Sequence, residues 1–68
     1  MELIKARTKS GNTYIFKIDN IIDFTPTFQN MYYEYNIQEK KLIPKNKIII
    51  QEDSIESVEI LNKESYGM

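Results

Sequence analysis

Asp19 and Asp23 stand four positions apart on either side of two isoleucines, and Glu52, Asp53, Glu56 and Glu59 crowd one later stretch. Paired carboxylates perform general acid and base chemistry when burial pushes their pKa values apart. These sit beside turn-forming residues and on the polar side of alternating segments, positions that favour turn formation and solvation over catalysis. They also lack the spaced Asp/Asn/Gly loop that holds a hard cation. The chain has no His and no Cys, which removes the commonest general base and the thiolate metal ligands. With Gly11 and Gly67 as its only glycines, it cannot build a Gly-rich phosphate loop. The expectation is a protein with no catalytic residue, no metal site and no cofactor.

Residues that can bind are more prominent. In "ELIKARTK", Lys5, Arg7 and Lys9 alternate with Ile4 and Ala6, and Lys17 occupies the matching position in "TYIFKI". If the two segments form a hairpin, these four cations share an outer face that can follow a phosphate backbone. Tyr32 or Phe28 can then stack a base, worth about 1–3 kcal/mol each. The stretch "NMYYEYN" holds Tyr32, Tyr33 and Tyr35 behind Met31, and Tyr and Met are enriched where proteins meet proteins. Two classes follow. The preferred one is a protein-binding module with Phe28, Tyr32 and Glu34 at its interface, an accessory regulator or inhibitor of a larger protein. The alternative is a nucleic-acid- or nucleotide-binding small β-barrel that uses the basic stripe.

The elements that position these residues follow a period of two. "ELIKARTK" and "TYIFKI" flank "SGN", where Gly11 is suited to a positive φ, so they read as a hairpin. "DNIIDF" reads as a short strand that Pro26 ends. Met31 to Ile37 is the next strand, with Met31, Tyr33, Tyr35 and Ile37 toward the core and Tyr32, Glu34 and Asn36 toward water. "QEKKLIPKNK" is a polar excursion in which Pro44 opposes a central strand. "KIIIQ" is a short apolar strand, "EDS" a tight turn, and "IESVEIL" a final strand whose β-branched content outweighs its helical spacing. "NKESYGM" is expected to be a flexible tail over residues 62–68, after a single domain over residues 1–61.

Five or six such strands predict an all-β fold: a small antiparallel meander closed into an SH3-like or Sm-like barrel, because closure disposes of sheet edges. The runs "SGNTYIFKIDNIIDFTP" and "KIIIQEDSIESV" resemble small flagellar FlbD-type proteins in the order of a Gly turn, a strand, an Asp and a Thr-Pro pair. That resemblance covers about half the chain, rests on strand-and-turn chemistry, and carries over no functional residue.

At 68 residues the chain holds one core, and ordering it costs on the order of 100 kcal/mol, close to what burial returns at this size. Self-association is one route to further burial, so a homo-oligomer is expected. The composition, 41% hydrophobic and 28% charged with net charge −1, is that of a folded domain rather than a disordered chain. No apolar run approaches the roughly 20 residues needed to span a bilayer. The start lacks the pattern of a signal peptide, so a cytoplasmic location without membrane contact is the expectation. A single Arg beside abundant Ile, Asn and Lys is the skew of an AT-rich genome, pointing to a low-GC bacterium or its phage. In a phage, the partner expected is a host enzyme or defence complex. Charge is lopsided: Lys63 is the one base beyond Ile50, against Glu52, Asp53, Glu56, Glu59 and Glu64. That asymmetry can steer a partner or favour head-to-tail self-contact.

Overall fold

The computed structural model describes residues 1–19 and 27–68 of the protein, with side chains from residue 29 onward in the second stretch. Five strands form one antiparallel sheet: β1 (Glu2–Thr8), β2 (Thr13–Ile18), β3 (Thr27–Asn36), β4 (Lys41–Gln51) and β5 (Ile55–Ile60). Their order across the sheet is β4-β3-β2-β1-β5. The first hairpin falls where the alternation places it, with Ile4 opposite Phe16 and Lys5 opposite Ile15. Its turn is held by Thr8, whose amide donates to the Asn12 carbonyl at 2.8 Å and whose hydroxyl lies 2.8 Å from that of Ser10. Gly11 takes φ 93°, a region costly for residues with a Cβ.

The sheet is not closed into a barrel: among the described residues β4 pairs only with β3, and β5 only with β1. It is nevertheless curled. A flat sheet of five strands separates its edges by about 19 Å. Yet β4 and β5, at opposite edges, are joined by a 3-10 turn of three residues, Glu52–Ser54, which can span at most about 14 Å. The edges therefore converge at this corner, where the Lys9 amide donates to the Ser54 carbonyl at 2.9 Å. The two edges approach here without pairing, so the closed barrel expected from the sequence is not formed.

Strand β4 begins at Lys41, earlier than the "KIIIQ" strand expected. Pro44 is accommodated because β4 is an edge strand, where a missing N–H costs no central ladder bond. Beside it, two residues, Lys45 and Asn46, face the single position of Tyr32, the register shift of a bulge. The helical alternative for residues 52–61 is not adopted beyond the 3-10 turn. Of the strand expected over residues 19–24 only Asp19 is described, in a bend, and residues 20–24 and the break at Pro26 lie outside the described residues.

Both faces carry apolar clusters, because the residues of β1 alternate between them. Ile4 and Ala6 join Phe16, Ile18 and Ile50 on the inner face, with Tyr14, Tyr32, Ile48 and Ile55 packed around them. Leu3 joins Leu42 and Leu61 on the outer face, with Ile15, Tyr33, Tyr35 and Tyr66 around them. The segment expected to be a flexible tail completes this second cluster. Lys63–Tyr66 forms a 3-10 turn capped by Asn62, whose side chain accepts from the Glu64 amide at 3.0 Å. Tyr66 meets Tyr35 edge to face, with centroids 5.2 Å apart, so aromatic packing supplies the anchor that composition alone did not reveal.

Gly67 ends that turn at φ 79°, and a Cβ there would run into the backbone carbonyl of Lys40. Gly67→Ala is expected to cost more than Gly11→Ala, which has a similar φ but open space around it. The backbone conformation alone accounts for about 1–2 kcal/mol in each. Thermal melts of both variants check this, and equal losses would show that the carbonyl contact contributes nothing.

Candidate binding surface

The outer face brings together three of the four expected cations. Lys5 and Arg7 project from β1 on the side of Leu3, and Lys17, opposite Leu3 in the register, projects from β2 on the same side. Lys9 lies in the exposed β1–β2 turn rather than on the strand face. Two of the three strand cations are engaged. Lys5 lies 3.4 Å from Glu59 on β5, and the Lys17 ammonium sits 4.5 Å from the centroid of the Tyr33 ring. Exposed ion pairs contribute little to stability, about 0–1 kcal/mol, but Glu59 places negative charge inside the stripe. Arg7 is exposed and pairs with no carboxylate among the described residues.

Tyr33 and Tyr35 pack against a core cluster as expected, that of Leu3, Leu42 and Leu61, but Tyr32 is not the exposed ring expected. Tyr32 and Tyr33 do project to opposite faces, as alternation requires, but Tyr32 is on the side of the larger core. It packs against the inner cluster and meets Tyr14 edge to face, with centroids 5.1 Å apart and planes at 78°. Polar Glu34 and Asn36 suggested a wet face at Tyr32. Tyr14 and the inner cluster take up Tyr32, while Glu34, nearer the hairpin end, remains exposed and lies 3.6 Å from Lys45. Tyr33 and Tyr35 are half-buried on the outer face, Tyr33 beside Lys17 and Tyr35 against Tyr66. Phe28 pairs with Ile50 in the β3–β4 ladder, and its side chain lies outside the described residues.

The carboxylates do not converge. Asp19, Glu52, Asp53, Glu56 and Glu59 are all exposed, and Asp23 lies outside the described residues. Among the described residues no three acidic side chains gather in a group able to hold a metal ion. No helix there is long and apolar enough to cross a membrane.

A feature not anticipated from the sequence is the apolar edge of β5. Val58 pairs with Ala6 and Ile60 with Ile4, which puts both on the inner face, yet they are 41% and 60% exposed. The alternation in "IESVEI" identifies their face correctly. That β5 ends the sheet, leaving that face uncovered, is a property of topology and has no local signal.

No family model, curated protein or solved structure matches this chain.

Proposed function

We propose that this chain is a small non-catalytic protein-binding module, acting as an accessory regulator or inhibitor of a larger protein. Its binding element is the β5 edge. The observation that carries this reading is the exposure of Val58 and Ile60 on a strand with one edge unpaired among the described residues. An extended segment of a partner can add to such an edge through main-chain hydrogen bonds, and alternate side chains supply specificity. Tyr32, packed inward, contributes through the fold rather than by contact. Strand order β4-β3-β2-β1-β5, with a single 3-10 turn linking the last two strands, supports an SH3-like or Sm-like connectivity whose barrel stays open.

A nucleic-acid reading keeps one specific observation in its favour: Lys5, Arg7 and Lys17 share the outer face with Tyr33. Affinity capture from lysate, with and without nuclease, separates the two. The protein-binding reading expects a nuclease-resistant partner that Ile60→Ser releases, with affinity reduced about tenfold or more, and a shallow salt dependence. Capture abolished by nuclease and by Arg7→Glu, with a steep salt slope and Ile60→Ser silent, would overturn it.

A further inference from the structure

The two open edges of the sheet differ in charge. β4 carries Lys41, Lys45 and Lys47, all exposed, and no acidic residue. β5 and the turn leading into it carry Glu52, Asp53, Glu56 and Glu59, all exposed, and no basic residue. Lysine on an edge strand is by itself a guard against unwanted pairing. Opposite signs on the two edges of one sheet do something different: they repel like edges and attract unlike ones.

We infer that the occupant of the β5 edge is the β4 edge of a second copy of this chain, added head to tail. This rests on the protein-binding reading and adds that the edge offered to a larger partner is taken, when that partner is absent, by a second copy. Symmetric pairing is disfavoured on both sides, because β4 against β4 brings two copies of Lys47 onto one short ladder and β5 against β5 gathers two copies each of Glu56 and Glu59. The β4–β5 combination also matches in apolar character. Val58 and Ile60 project from β5 on the inner face, and Ile48 and Ile50 project from β4 within that face's core. Ile49, 67% exposed, lies on the other side of the same stretch of β4. Lengths agree as well. Pro44 has no N–H to offer, which confines new pairing to the part of β4 beyond the bulge, and Asn46 to Gln51 equals β5 in length. A head-to-tail contact is heterologous, so it produces closed rings or open chains rather than simple two-fold dimers.

The test uses charge exchange at two residues without an intramolecular ion pair among the described residues, Lys47 and Glu56. Sedimentation velocity of the full chain at micromolar concentration is expected to show self-association. Lys47→Glu and Glu56→Lys should each weaken it about tenfold. Mixing the two variants should restore it, because each then offers an edge complementary to the other. Circular dichroism melts of both variants, expected to match the parent, separate loss of pairing from loss of fold. A monomeric parent, or a mixture no more associated than its separate components, would overturn the inference. In that event, capture of a different protein that depends on Ile60 would leave the protein-binding reading standing, whereas loss of both would end it as well.

Discussion

Phe16→Ala is expected to cause the largest loss of stability of any single truncation proposed for this protein, about 3–5 kcal/mol. Phe16 is fully buried and is among the largest such side chains in the protein. It lies on β2 opposite Ile4, at the centre of the inner cluster. Truncating a buried aromatic ring costs about 3–5 kcal/mol, combining lost transfer energy with the cavity left behind. A domain of this length has a total stability of roughly 3–10 kcal/mol, so one substitution removes about 30% of it at the least and all of it at the lower end of that range. Urea titration followed by circular dichroism measures the loss. A midpoint close to the parent's would mean that the inner face is not the main core.

Tyr32→Ala is expected to destabilise the fold by about 2–3 kcal/mol. The ring is half-buried against the inner cluster, and edge-to-face packing on Tyr14 adds about 0.5–1.5 kcal/mol beyond the area covered. Tyr32→Phe keeps that packing and should melt close to the parent. An exposed ring would behave differently, since surface substitutions usually move stability by no more than about 0.5 kcal/mol. A melt of Tyr32→Ala indistinguishable from the parent would therefore return Tyr32 to the surface and restore it as a contact residue.

The strands themselves were legible in the sequence because alternation is a local property. β1, β2, β5 and the tight turn at Glu52–Ser54 lie where the apolar period and the turn residues put them. On β1 and β2 the core face was legible, with Ile4, Ala6, Phe16 and Ile18 on it, but which side of β3 meets that core was not. Glu34 and Asn36 are polar and sit two and four positions past Tyr32, so the local pattern made that side appear wet. Its packing depends on Tyr14 of β2 and on the cluster around Phe16, contacts between segments remote in sequence. The same limit applies to Tyr66, whose polar neighbours give no hint that Tyr35 receives it. The basic stripe was legible as three cations on one face. Its interruption by Glu59 was not, because β5 pairs with β1 only through the crossover from the far edge.

That crossover fixes an order of events while the chain is being made. One side of β1 is matched as soon as β2 emerges from the ribosome, but its other side belongs to β5. At roughly 5–20 residues per second, Ile4 waits seconds for Ile60. Throughout that interval β1 is itself the bare margin of a nascent sheet, the kind of surface on which neighbouring polypeptides on a polysome can aggregate. Lys5 and Arg7 stand along it as guards, since charged residues, Lys above all, discourage adventitious strand pairing. When β5 arrives, Glu59 meets Lys5, so the group that kept strangers away during synthesis also greets the strand that belongs there.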